Sequence, residues 1–402
     1  MDLASPGSFA VIAGAAVLAP ILAELLRRFR VPSVVLEVLL GIVIGPAVLG
    51  WADVTTVIQA LSQFGLAFLM FIAGYELNLQ RVRGRPLDRA FVSWSCSLLL
   101  GLGVGALLTL DGYDVSDLMI GLVLTTTSLG SLIPILSDTG LLEKPFGTFT
   151  LAAGAMGEFG PVVAITLLLV GDNPLSEALW LSAFVFVAVG LGYVASRPQP
   201  PRFDALISRH LTTSSQLPVR IAVLLLALML LFAYELGLEA LLGSFTAGML
   251  FRPMLTGAQR ERIEPRLTAI GFGFVIPVFF VVSGMQFDLD AITHSASTAL
   301  LIPAFLVLLL AVRGGPALFV YRGLLEANER RALACFQATA LPLVVVITEI
   351  GRQTGRMSSS SAAALVGAAM LSVLVLPVLG LVQLRRGEAP DIEPEVTPHA
   401  DG

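Results

Sequence analysis

Charge is what this sequence has least of. Only 13% of its 402 residues are Asp, Glu, Lys or Arg, against about a quarter in an ordinary soluble domain. With 56% hydrophobic residues and a mean hydropathy of +0.88, that shortage excludes a soluble globular chain. Cysteine and histidine are nearly absent. Cys96 and Cys335 stand alone in apolar runs, and His210, His294 and His399 form no cluster. Neither a disulfide framework nor a His/Cys metal centre is therefore expected. Lysine occurs once, at Lys144. The arginines are scattered among loops rather than gathered on one face, which argues against nucleic-acid binding. A hydrolytic triad and a phosphate-cradling loop at a helix start are missing too. The chain is not expected to be an enzyme, and the pattern asks for no cofactor.

What the chain has in abundance is long apolar runs. About 20 apolar residues cross a bilayer as a helix, and in lipid the backbone must bond to itself, which selects helices for runs of this length. The expected fold class is an all-α polytopic membrane protein with about thirteen spans, roughly 8–29, 33–50, 57–79, 89–110, 115–137, 146–170, 175–195, 217–236, 238–251, 267–286, 297–321, 329–350 and 359–384. The ninth is short enough to be re-entrant. The first is too long for a cleaved signal peptide and lacks a basic start. The tail 387–402, GEAPDIEPEVTPHADG, is acidic and proline-containing and is expected to be disordered. No soluble regulatory domain is expected after it.

Twenty of the 24 basic residues, from Arg27 and Arg28 to Arg385 and Arg386, fall in alternate loops. The opposite loops hold Arg352 and Arg356, together with acids such as Asp53, Asp111, Asp114, Asp172 and Asp288. The positive-inside rule then puts the N-terminus outside and the C-terminus in the cytoplasm, which requires an odd number of spans. Arginine-rich, lysine-poor usage suggests a GC-rich bacterial genome, so a bacterial inner (plasma) membrane is the expected location.

Two basic residues escape the loops. Arg220 is near a span start and can snorkel, but Arg313 lies well inside the run 297–321. One acid is placed as awkwardly. In LAAGAMGEFGPVVAITLLLV, residues 151–170, Glu158 stands amid apolar residues with Gly154, Gly157, Gly160 and Pro161 around it. An ionisable group inside a membrane is costly and marks a functional site by default.

The chain also repeats itself. LEVLLG at 36–41 echoes LEALLG at 238–243, and LMFIAGYELNL at 69–79 resembles FFVVSGMQFDL at 279–289. These echoes pair the second span with the ninth and the third with the tenth. Spans one to six then repeat as eight to thirteen, in opposite sense, with the seventh as a linker. Inverted repeats of this kind place the substrate site near the midplane, between broken helices. The fifth span holds TTTSLGSLIPIL (125–136) and its mate, the twelfth, holds FQATALPLV (336–344). Pro134, Pro342 and Pro161 would free the carbonyls of Gly130, Ala338 and Gly157, because a proline cannot donate to the carbonyl four residues earlier. Carbonyls, hydroxyls and one carboxylate suit a monovalent cation or a proton. The plainer reading makes the prolines kinks and the glycines packing contacts. Glu37 and Glu239, matched across the repeat, are candidate pore-mouth groups, or simply helix-end groups.

The whole of 8–384 resembles the monovalent cation:proton antiporters, especially their Kef-type branch. VPSVVLEVLLGIVIGPAVLG (31–50) is similar to that family's opening signature, FGLAFLMFIAGYELNL (64–79) to its third-span motif and PVFFVVSGMQFDL (277–289) to its tenth. The resemblance implies a sodium:proton antiporter-like fold, a homodimer in membrane lipid and an elevator mechanism. It divides the chain into a dimerising scaffold of 1–86 and 197–290 and a mobile core of 87–171 and 291–386. A linker, 172–196, joins them, and the tail follows. It also puts ion and proton binding on Glu158, Gly157, Thr127 and Ser128, with Leu129 completing the broken fifth span's tripeptide, and charge compensation on Arg313 and Gln337. The departures are Gly157 in place of a second acid or amide, Glu158 for the usual aspartate, Leu129 for a hydroxyl and Arg313 where lysine is common. A nucleotide-binding domain of the Kef type is not expected in this chain.

Burial disfavours a carboxylate's charge and a nearby guanidinium favours it, so Glu158 beside Arg313 could exchange protons near working pH. The expected function is exchange of sodium or potassium for protons, the two competing for Glu158. A single titrating acid implies electroneutral exchange, because an arginine keeps its proton. The alternatives are a proton-coupled exporter of an organic solute on the same fold, and a transport-inactive sensor or scaffold.

Overall fold

The computed structural model describes residues 6–26, 32–76, 82–110, 117–169, 174–195, 197, 216–238, 240–289 and 296–385. All its regular structure is helical among these residues. Among the described residues nine helical runs are long and apolar enough to cross a membrane. Helices at Ser33–Ile44, Asp117–Leu124 with Leu129–Asp138, Pro174–Ala195 and Ala240–Phe251 supply the four other segments expected from hydropathy. Boundaries differ where polar residues cap or extend a run. The second helix stops at Ile44, where Gly45 begins a turn. The tenth span starts ten residues early, because Thr256 and Gln259 form a capping box that launches the polar helix Gly257–Ile270. Glu239 and the tail 387–402 lie outside the described residues.

The helices used below are α1 (Ser33–Ile44), α2 (Thr56–Glu76), α3 (Arg85–Leu110), α4 (Asp117–Leu124), α5 (Leu129–Asp138), α6 (Pro145–Leu169), α7 (Ala240–Phe251), α8 (Ile276–Met285), α9 (Gly315–Val320), α10 (Ala327–Gln337), α11 (Pro342–Gln353) and α12 (Ser359–Arg385).

Two close crossings reveal the repeat in three dimensions. In α1 and α8, a Cβ on Gly41 would run into the Val281 carbonyl and one on Gly284 into the Val38 carbonyl. In α7 and α2, a Cβ on Gly248 would meet the Phe71 carbonyl and one on Gly74 the Phe245 carbonyl. Each crossing therefore maps onto the other, second span to ninth and third to tenth. Without a hydrophobic force between helices in lipid, such backbone approach is what holds them together. The packing also moves the register of one echo. Gly41 corresponds to Gly248, not to Gly243 as the LEVLLG/LEALLG match implies, so Glu37 corresponds to Ser244 rather than to Glu239.

Two spans are broken midway. The fifth unwinds over Thr125–Ser128 between α4 and α5, and the twelfth over 338–341 between α10 and α11. The proline reading is right for the twelfth, where Pro342 is the first residue of α11. In the fifth, Pro134 lies inside α5, and the break falls at the hydroxyl run before it. There Thr125 and Thr126 turn their hydroxyls back on the carbonyls of Leu122 and Val123, at 2.8 Å each. Such local side-chain bonds compete with the helix ladder.

Candidate ion-binding site

The two breaks cross and bond to each other through the backbone. The Ser128 N–H donates to the Thr339 carbonyl at 2.7 Å. The Thr127 hydroxyl donates to the Gln337 carbonyl at 2.6 Å. The Thr127 N–H donates to the Gly157 carbonyl at 3.0 Å. That last acceptor is free because Pro161, inside the continuous α6, has no N–H to fill it. The carbonyl expected to be liberated by Pro161 thus ties the break to α6.

Glu158 follows directly on the chain. Its Oε1 accepts the Leu129 N–H at 2.8 Å, so the carboxyl faces the first turn of α5, the positive end of a half-helix. The side chain is half-buried. Leu129 takes part through its backbone, which needs no hydroxyl; its side chain packs against Gly154. Gly130 is the next residue of α5, and Ala338 caps α10.

Arg313 is fully buried, in a five-residue π turn, Leu310–Gly314. Pro316, two residues beyond the end of that turn, withholds the N–H that a regular helix would offer Val312, and π turns of this kind recur at functional sites. The Arg313 Nε donates to the Thr127 hydroxyl at 2.9 Å and Nη2 to the Ala153 carbonyl at 2.7 Å. Thr127 is therefore fully engaged as a clamp, bonded to both Gln337 and Arg313. Gly157 explains its own identity here. A Cβ on it would overlap the Thr127 hydroxyl and approach Arg313 Nη2 to 2.9 Å. Guanidinium and threonine occupy the space a second acidic side chain would need.

Several participants were not anticipated. Ser372 of α12 sits 3.0 Å from the Ala340 N–H, which donates to its Oγ. It does for the second break what Glu158 does for the first, from the matching helix of the other repeat. Ser93 of α3 donates to the Gln337 amide oxygen at 3.4 Å, and Ala153 contributes only a carbonyl, so neither carried a sequence signal. Glu37 is buried, 5% exposed. Its neighbour Val38 lines a narrow cavity that runs along Val345, Thr348 and Val366. That cavity shares Gln286, Asp288, Arg352 and Ser359 with a crevice of about 410 Å³ that Asp53 also lines. Arg352 is held there by Glu349 at 2.9 Å. Among the described residues, no group of three or more His, Cys, Asp and Glu side chains is placed to hold a metal.

A family model described as Sodium/hydrogen exchanger, transmembrane, matches residues 13–381. The chain belongs to this exchanger family. The Bacillus subtilis protein YjbQ is 26% identical over 416 residues, covering 98% of this chain and 65% of YjbQ. Cation/H(+) antiporter 18 of Arabidopsis thaliana is 28% identical over 331 residues, covering 75% of this chain and 40% of its own length. The chain thus spans under two thirds of either relative. A solved sodium proton antiporter of Methanocaldococcus jannaschii shares the fold, with TM-score 0.66, 18% identity and coverage of 98% of this chain and all of that one. As a member of the exchanger family the chain is a membrane protein, in keeping with the nine described helical runs long and apolar enough to cross a bilayer.

Proposed function

We propose that the chain exchanges a monovalent cation, sodium or potassium, for protons, one for one. The observation that carries this reading is the Glu158 carboxyl, held at 2.8 Å by the N–H that opens α5. It is an ionisable group inside the membrane, at the point where two broken helices cross. One carboxylate oxygen is oriented by the helix end. A carboxylate can take either a proton or a cation, and occupancy by one excludes the other. Family membership and the cation/H(+) antiport names of relatives support the same reading.

Electroneutrality rests on Gly157 and Arg313. Among the described residues Glu158 is the single acid at the crossing, and an arginine does not release its proton in the biological range. Both loaded forms then carry the same charge. The crossing, with α3–α6 and α9–α12, would move as the elevator core against a scaffold that includes the α1–α8 and α2–α7 crossings and pairs with a second copy. The crevice beside Asp53 and Asp288 lies on the seam between these parts, on the side that the arginine distribution assigns to the exterior. It is proposed as the cation's outer mouth.

The test uses purified protein in liposomes with an interior pH dye and an imposed pH gradient. Sodium, potassium, lithium and rubidium are added in turn. A cation-dependent collapse that disappears in Glu158→Gln supports the proposal. Collapse that survives the substitution overturns it. If folded dimer responds to no cation, the organic-solute alternative takes its place.

A further inference from the structure

Arg313 satisfies two of its nitrogens through Thr127 and Ala153, but its third, Nη1, has no hydrogen-bond partner among the described residues. Two more polar atoms close by share this condition, the Tyr321 hydroxyl and the Gln337 amide nitrogen. All three side chains are at most 1% exposed. They form one neighbourhood. The Tyr321 hydroxyl lies beside the Gln337 and Ser93 side chains and within electrostatic reach of Arg313, and its ring is fixed edge-on to Phe149 at 5.7 Å. Ser93 in turn bonds to Gln337. Buried polar groups are almost always satisfied, by protein or by an internal water.

The geometry points to a bound water in this pocket, held by Arg313 Nη1, Tyr321 and Gln337, separate from the Glu158 site. Arginine and amide nitrogens only donate, and the phenol can do either, so the missing partner must accept. Turning the Gln337 amide over would pair it with Tyr321 and Ser93, yet would leave Arg313 Nη1 without an acceptor. Water fits better than an anion, because stripping an ion of its hydration in a buried place is costly, whereas a buried water needs only two to four polar partners, and Arg313 Nη1, Tyr321 and Gln337 are the buried groups here that lack one. The water completes the hydrogen bonding of Arg313 without calling on Glu158. The guanidinium can then stay clamped to Thr127 and Ala153 while the carboxyl changes its occupant.

The test is radiolytic labelling of the whole chain in nanodiscs, in which X-ray pulses split bound water and mark the side chains beside it. Phe336, equally buried at 0% exposed, is the reference. Tyr321 is expected to label at least about tenfold faster than Phe336, since a water in contact supplies the radical on the spot. Equal rates at the two rings mean a dry pocket and overturn the inference. Labelling of Tyr321 that rises when chloride is replaced by gluconate means that an anion fills the pocket, which overturns the assignment to water. This readout is independent of transport, so failure of the exchange reading leaves it standing.

Discussion

At the scale of single residues, the site turns on a glycine as much as on an acid. Gly157 lets Thr127 and Arg313 close over α6, and any side chain there must displace them. Gly157→Ala is expected to destabilise the protein by about 1–3 kcal/mol, the usual cost of overpacking, and to lower transport with it. Thermal unfolding in detergent, set beside the liposome assay, measures both. Glu158→Asp makes the opposite test. One methylene shorter, the carboxyl is expected to lose the Leu129 N–H while remaining able to titrate. Exchange should persist, with the half-saturating cation concentration raised about tenfold, equivalent to one hydrogen bond of about 1.4 kcal/mol. Unchanged cation affinity would mean that the 2.8 Å contact does not orient the carboxyl in the working protein.

At the scale of elements, the crossing is held by side chains that replace lost helix bonds. Thr127 bonds to Gln337 from one break to the other and carries Arg313 as well. Thr127→Val keeps the shape but strands the Gln337 carbonyl and the Arg313 Nε in a buried place. Each unsatisfied group costs about 1–3 kcal/mol. Backbone hydrogen exchange over 125–128 and 338–341 is therefore expected to speed up together in this variant, although the substitution lies in one segment only. Ser372→Ala should loosen 338–341 alone, because its contacts are with Ala340 and its own helix. Exchange that changes identically in both variants would show that the two breaks form one cooperative unit.

At the scale of the whole molecule, a single acid predicts how protons and cations trade. If one proton excludes one cation, the half-saturating cation concentration should rise about tenfold for each pH unit below the acid's titration point, as linkage requires. A slope near two would demand a second titrating group. Exchange by proteoliposomes should also proceed without a transport current at any membrane potential. A current that tracks the ion flux would show that another charge crosses with the core.

The sequence by itself determined the class of the protein, its succession of apolar helical segments and the fact of an inverted repeat. These follow from hydropathy and period, which are local properties, and the solvent leaves helices no competitor. It also made Glu158 and Arg313 conspicuous, because a charge in an apolar run is visible without any partner. The tertiary structure alone decided what they touch. Arg313 reaches Thr127 and Ala153 across 186 and 160 residues of chain, and no local pattern records so distant a pairing. The same holds for register. LEVLLG and LEALLG match by eye, yet the backbone contacts align Gly41 with Gly248. Composition shows that glycines are there, whereas only packing shows which carbonyl each one must admit.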